Sequence, residues 1–374
     1  MKIAVIRREC GPSWGGAERD CAQVVKTLIE LGHEVTLIAR RKDNFCKEVK
    51  FIPISYKARG SVLKNYLFFL KVKHVLTRAE FDIVYGLSRV HPVDVFRVED
   101  PLHAAWIETR YQSQLARGLV KLSLRHRMLL YLERKLMLDP QVRIVCMSRL
   151  VASQISQHYG LTPSSNRLSV IYNGVDLQQF NSTARKAGKE LRQKLGLQNR
   201  TTLLFAGADA RRKGFDTLIK ALSSLQHGDL YLLVLGLSKK KIPFPLPSNI
   251  EDRLIFTGWV NNPEVYYGCA DLLVLPTKND PFGNVCLEAM ACGTPVLLTT
   301  AAGAAEIVEP GRTGFIMENP QSDRELRERL EEYLSLSESQ RVMMSEQAAH
   351  RAEQFTWEKH GEMLTKLFQE FKQF

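Results

Sequence analysis

Residues 280–293 read DPFGNVCLEAMACG: an acid, a glycine turn, and a second acid eight positions on. A helix that starts near Gly283 and Asn284 leaves its first backbone N–H groups without partners, and such groups bind anions such as phosphate. Gly283 allows the backbone to come close to a ligand. Glu288 lies about one turn into that helix. A carboxylate there can accept two hydrogen bonds from vicinal hydroxyls, as acids do when they hold a ribose. Asp280, ahead of the turn, stands toward the far end of such a ligand, where a sugar would sit. Taken singly, Asp280 also reads as an ordinary N-terminal acid and Glu288 as part of a solvated helix face.

Two other stretches carry similar chemistry. In GADARRKGFD (207–216) a strand ends at a glycine, a basic turn follows, and a helix opens near Phe215. Arg212 and Lys213 beside free helix N–H groups suit a pyrophosphate, although cations are common in loops. In GPSWGGAERD (11–20), directly after the first strand, Gly15 and Gly16 allow a tight loop and Asp20 follows in the first helical turn. This is not GxGxxG, and the second strand ends in basic TLIARRK, with no acid for a ribose, so a dinucleotide fingerprint is poorly matched. The loop can instead admit a donor or an acceptor sugar.

Alternating strands and helices must position these groups. In the first half, apolar runs at 2–7, 33–40, 49–54, 81–87, 95–100, 142–148 and 167–176 read as strands. Helices are expected over 17–32, ending at Gly32, and from Arg149 to Tyr159. The second half repeats the rhythm, with strands at 201–208, 230–236, 253–260, 271–277, 294–300 and 314–317. Its helices fit 215–226, 262–270, 322–337 and a last one from Trp357 to Phe371. The polar stretch 181–200 is expected to lie between the halves. Such a βαβ rhythm implies an α/β protein with parallel sheets covered on both faces, which bind ligands at the carboxyl ends of their strands. We expect two doubly wound, Rossmann-like domains: 1–175, then 176–355, with 356–374 as a C-terminal helix returning to the first domain.

The net charge of +12 is uneven. Residues 1–175 hold 28 Lys and Arg against 15 Asp and Glu, and the remainder hold 24 against 25. A solubility charge would spread over both halves, so the first half is expected to meet something anionic: nucleic acid, a membrane surface or a phosphorylated substrate. The stretch YLFFLKVKHVLTR (66–78) mixes aromatic, aliphatic and basic residues as an interfacial helix does, or as a core-facing helix with solvated lysines does. The apolar share of 45% and the charged share of 25% fit a folded globular chain rather than a disordered one. No apolar run approaches the roughly 18 residues of a membrane span. The opening MKIAVIRREC turns charged too early for a secretory signal. Seven scattered cysteines without CxxC fit a reducing cytoplasm and argue against a zinc site.

The glycine pair after the first strand, Lys213 in an R-K-G turn, and an acid-x7-acid element running into AMACGTPVL together resemble the GT-B retaining glycosyltransferases of family 4. The resemblance spans nearly the whole chain. WGGAERD, GADARRKGFD and GLSRVHPVDVFRVED look most like the branch that adds glucose to heptose in the lipopolysaccharide inner core. Here the first acid is Asp280 where that family usually has Glu, one methylene shorter in reach.

The resemblance implies two domains facing across a cleft and a nucleotide-diphosphate sugar, of UDP type, lying mostly against the second. Glu288 would hold the ribose, Arg212 and Lys213 the diphosphate, and Asp280 with the backbone of Phe282, Gly283, Asn284 and Val285 the sugar or its phosphate. Gly236 and the turn TGWV (257–260) would meet the base, and Gly15 and Gly16 would also border the donor. Asp100, Arg212, Lys213 and Asp280 are the expected catalytic group. Asp20 and His103 are expected on the acceptor side, with Asp100 and His103 both candidates for one active-site role. No Asp-x-Asp occurs, so no metal or other cofactor is expected, the cations serving instead. The acceptor would be an anionic glycolipid or saccharide of the lipopolysaccharide core. The protein would then be cytoplasmic, in peripheral contact with an anionic membrane, and without a nucleic-acid partner. A nucleotide-sugar epimerase of the same fold is the alternative. A noncatalytic anion-binding protein would leave the acid pair idle, and a nicotinamide dehydrogenase lacks its glycine fingerprint.

Overall fold

The computed structural model describes residues 1–111, 113–162, 165–225 and 227–372. Two compact units emerge, one from Met1–Asn173 with Trp357–Phe374, the other from Gly174–Thr356.

The first unit contains β1 (Lys2–Ile6), β2 (Glu9–Cys10), β3 (Glu34–Ala39), β4 (Arg41–Lys42), β5 (Lys50–Pro53), β6 (Ile83–Gly86), β7 (Val95–Val98), β8 (Arg143–Cys146) and β9 (Leu168–Val170). β2 and β4 pair as a short ribbon, and the other seven form a sheet ordered β5-β3-β1-β6-β7-β8-β9. Every pairing is parallel; Ile3, for example, lies opposite both Val35 and Ile83. Helices cover both faces, so Ile3, Ala4, Val5 and Ile6 are all fully buried, and the strand reads as an unbroken apolar run rather than an alternating one. The last helix, Trp357–Lys372, packs on this unit: Leu364 and Phe368 join its core, and Phe368 meets Tyr85 edge-on at 5.3 Å.

The second unit holds β10 (Thr201–Ala206), β11 (Leu230–Leu235), β12 (Leu254–Gly258), β13 (Leu272–Leu275), β14 (Val296–Thr299) and β15 (Gly314–Met317), ordered β12-β11-β10-β13-β14-β15. The order reverses between β10 and β13. That reversal opens a crevice beyond the carboxyl ends of those two strands, where ligands of doubly wound sheets bind.

The polar stretch 181–200 does not simply separate the halves. It forms the helix Ala184–Lys194 of the second unit, laid against the helix Pro263–Cys269. Gly188 and Gly268 permit that packing, because a Cβ on either would overlap backbone of the other helix. Small residues, invisible to a hydropathy reading, supply the interface. Gln226, the expected end of the helix over 215–226, lies outside the described residues; the helix itself runs Phe215–Ser224. Residues 66–78 fall largely in the helix Ser61–Leu76, whose Phe68 and Val72 are buried in the first core. Three further helices, His103–Arg110, Gln114–Lys121 and Leu124–Leu138, follow β7.

Candidate functional site

At the crevice of the second unit, the turn after β10 and the loop after β13 are sewn together. The Lys278 amide donates to Arg212 O at 2.8 Å, and the Thr277 hydroxyl donates to the same carbonyl at 3.1 Å. Gly214 makes the approach possible: its φ is 73°, and a Cβ there would overlap the Pro276 carbonyl oxygen. This stitching carries Lys213 onto Asp280, 67 residues away in sequence, as a buried ion pair. Arg212 Nη1 lies 3.4 Å from the same Asp280 oxygen and donates to Asn279 O at 3.1 Å. Burial alone would raise the Asp280 carboxyl, but Lys213, Arg212 and the Phe282 amide outweigh it and hold the acid below its ordinary range.

Past Asp280, Gly283 adopts φ 96° and the helix Asn284–Ala291 begins with no side chain capping it. Asn284 and Val285 are half-buried there, whereas Phe282 is buried and offers only backbone to a ligand. Glu288 is buried and accepts a hydrogen bond from Tyr267 Oη at 2.7 Å. The buried Cys286 thiol is pushed up by burial, pulled back by Lys213, and pushed further by Asp280 and Glu288. Lys213, Asp280 and Glu288 thus all act electrostatically on one thiol of the helix that opens after Gly283. Gly236, with φ 79°, follows β11 beside the end of β10: its added Cβ would lie 2.9 Å from Gly207 O. Its amide donates to Gly258 O at 2.7 Å.

In the first unit, Gly15 precedes the helix Gly16–Glu30, and Gly16 faces open space. Asp20 is buried and turned inward, accepting from Asn173 Nδ2 at 3.1 Å. Asp100 follows β7 with an exposed side chain, 3.9 Å from Arg89. His103 is buried at the start of its helix, where the Glu133 carboxylate caps the amides of His103 and Ala104. His103 Nε2 and His126 Nδ1 lie 2.9 Å apart. Burial, then the Arg89 charge, lowers His103 to about 4, so at neutral pH it is an uncharged imidazole.

The residues missed by sequence reasoning are those that brace the first unit's strand ends. Arg7, just past β1, donates to Leu87 O at 2.7 Å and to Glu99 Oε2 at 2.8 Å, with Glu18 Oε1 at 3.2 Å. Arg97, fully buried, lies 3.5 Å from Glu99 Oε1, donates to Asn173 Oδ1, and approaches His360 Nε2 at 3.4 Å. Burial pushes Glu99 up to about 7, against the pull of Arg7 and Arg97. The available signal was an arginine inside the apolar run VFRV. Tyr267 on the donor side had no signal at all. Among the described residues, no group of three or more His, Cys, Asp or Glu is placed to hold a metal ion.

Two family models match the chain: glycosyl transferases group 1 over residues 188–351, and glycosyltransferase family 4 over residues 14–179. The chain is 26% identical to the lipopolysaccharide glucosyltransferase WaaG of Escherichia coli K12, over 91% of each protein. A crystal structure of WaaG, described as a glycosyltransferase involved in lipopolysaccharide biosynthesis, superimposes with a TM-score of 0.82 at 24% identity, covering 98% of this chain and 99% of that one. Anabaena HepE in complex with UDP-glucose gives 0.74 at 20% identity, covering 98% of each.

Proposed function

The chain belongs to the family-4 glycosyltransferases of GT-B fold, and from that premise we propose that it transfers glucose from UDP-glucose, with retention, to an anionic glycolipid of lipopolysaccharide-core type. The observation that carries this reading is the convergence of Lys213, Arg212, Asp280, an uncapped helix start and Glu288 at the switch point of the second sheet. WaaG and the UDP-glucose complex of HepE support the donor and acceptor classes.

In this mechanism Glu288, oriented by Tyr267, accepts hydrogen bonds from the ribose hydroxyls. The diphosphate displaces part of the Asp280 contact and takes Lys213, Arg212 and the amides of Asn284 and Val285. As the bond from the anomeric carbon to the phosphate oxygen breaks, its electron pair goes to that oxygen, and the two cations stabilise the charge in place of a metal. The acceptor hydroxyl attacks the face the phosphate leaves, passing its proton to the departing oxygen, so configuration is retained. Asp280, released from Lys213, then faces the sugar. Asp100 and His103 belong to the acceptor side, where a neutral imidazole can accept or donate a hydrogen bond to a hydroxyl.

We place peripheral membrane contact in the first unit. Leu115, Leu119, Leu122 and Leu124 are 69–81% exposed on and beside the helix Gln114–Lys121, interleaved with Lys121, Arg125 and Arg127. Leu63, Tyr66 and Leu70 of the helix Ser61–Leu76 are also exposed, so the apolar surface is not confined to the stretch expected from sequence. Apolar anchors beside cations suit an anionic interface, each cation near it contributing about 1 kcal/mol. Among the described residues no helix is long and apolar enough to cross a membrane. The epimerase alternative has no support in either family match.

A thermal-shift screen of nucleotide sugars with a chelator present tests the donor site, and NMR of the product's anomeric proton tests retention. UDP-glucose should stabilise the protein, and Lys213→Ala and Glu288→Ala should each remove that stabilisation while leaving a folded protein. Unchanged shifts in both variants would overturn the site assignment; an inverted anomer would overturn the mechanism.

A further inference from the structure

Arg7 is only 5% exposed, and it divides its guanidinium among several partners rather than one. Its guanidinium reaches a carbonyl after β6 (Leu87 O), a carboxylate after β7 (Glu99) and a carboxylate in the first helical turn after the glycine loop (Glu18). Four chain segments that border the carboxyl edge of the first sheet thus meet at one side chain. A second brace runs in parallel, from Glu99 through Arg97 and Asn173 to Asp20, one residue pair further along the same helix. Both braces hold the beginning of the helix Gly16–Glu30, and both end at Glu99, whose chain neighbour is Asp100.

We propose that Arg7 is a positioning residue for the acceptor, fixing the turn of Gly15 and Gly16 relative to Asp100 through its simultaneous hold on Glu18 and Glu99. The inference rests on the glycosyltransferase reading for its substrate, and on the geometry alone for the fixing of the turn. A planar fork is required for this arrangement. Lysine carries the same charge, but its three donors radiate from one nitrogen on a flexible stem, without the preorganised fork that lets two separate guanidinium nitrogens hold Glu99 and Glu18 at once. Glu18 is partly exposed and is the one contact that can be removed without opening the core.

The test compares Arg7→Lys and Glu18→Gln with the wild type. Hydrogen exchange of the amides of residues 11–20 should be faster by about tenfold in both variants, the factor expected when a charge-assisted hydrogen bond is lost. The acceptor KM should rise by a similar factor while kcat and the stabilisation by UDP-glucose stay at wild-type values, because the residues assigned to the ribose and the diphosphate, Glu288, Arg212 and Lys213, lie in the other unit. Unchanged exchange in both variants overturns the proposal. So does a defect in which acceptor KM rises while donor binding and melting temperature fall with it, since that marks a merely structural arginine. If the wild type transfers no sugar at all, the functional reading fails while the exchange result still decides the role of Arg7. Glu18→Gln guards against misfolding of the lysine variant.

Discussion

Replacing Lys213 by alanine while neutralising Asp280 separates the two duties of their ion pair. In the free protein Lys213 holds a buried carboxylate; with donor bound it holds a phosphate. Removing one partner of a buried pair costs ~3–5 kcal/mol. Arg212 remains 3.4 Å from Asp280 and the Phe282 amide still donates to it, so Lys213→Ala is placed at the low end, about 3 kcal/mol. Asp280→Asn leaves Lys213 buried without its carboxylate and should cost a similar amount. The double variant removes both charges together and should be more stable than the sum predicts, with a coupling of about 2 kcal/mol.

The pH dependence has a definite sign. Asp280 in the wild type sits below its ordinary value of 3.8, so its contribution is present above that value and is lost as pH falls through the folded value. Without Lys213, burial, the largest influence on it, raises Asp280 instead, and its contribution is then lost as pH rises. The stability deficit of Lys213→Ala should therefore grow between about pH 4 and pH 7. Urea unfolding of the four proteins at both pH values measures coupling and slope together. Coupling within about 0.5 kcal/mol of zero, or a deficit that does not change with pH, refutes the reasoning. Sugar transfer by the single lysine variant should fall about 100-fold, the scale of one lost charge-stabilising group.

Gly214→Ala should destabilise the protein by roughly 3 kcal/mol or more, because φ 73° is strained for alanine and its Cβ overlaps Pro276 O; urea unfolding measures it. Tyr267→Phe should weaken UDP-glucose binding by about tenfold by freeing Glu288 to turn, and Glu288→Ala should abolish it, both read by calorimetry. Glu99 is raised from 4.5 to about 7, so its contribution is fully present below 4.5 and is lost as pH rises through about 7. Across that window the wild type should lose stability that Glu99→Gln does not, in unfolding experiments at pH 4.5 and 8; equal slopes in both proteins would refute it. Leu115→Glu with Leu119→Glu should reduce flotation with anionic vesicles at low salt without altering donor binding, and equal flotation would remove that surface from the proposal.

The chain's own spacing determined a good deal. Continuous apolar runs such as LYLLVL and LLVL, set between amphipathic stretches, dictate doubly covered parallel sheets, and their repetition dictates two of them. The R-K-G turn and the two acids of DPFGNVCLE were visible for a related reason: a glycine turn and the helix it opens are local events, settled by residues a few positions apart. Which cation meets which acid was not local. Lys213 reaches Asp280 only because β10 and β13 are neighbours in the sheet and Gly214 lets the two loops touch, facts that no spacing along the chain contains. Tyr267 beside Glu288, Arg7 between Glu18 and Glu99, and the inward turn of Asp20 depend on the same long-range adjacency. A hydrophobic pattern reports which face of an element is buried, but the pairing of polar groups within that burial is decided by where the folded backbone brings distant segments together.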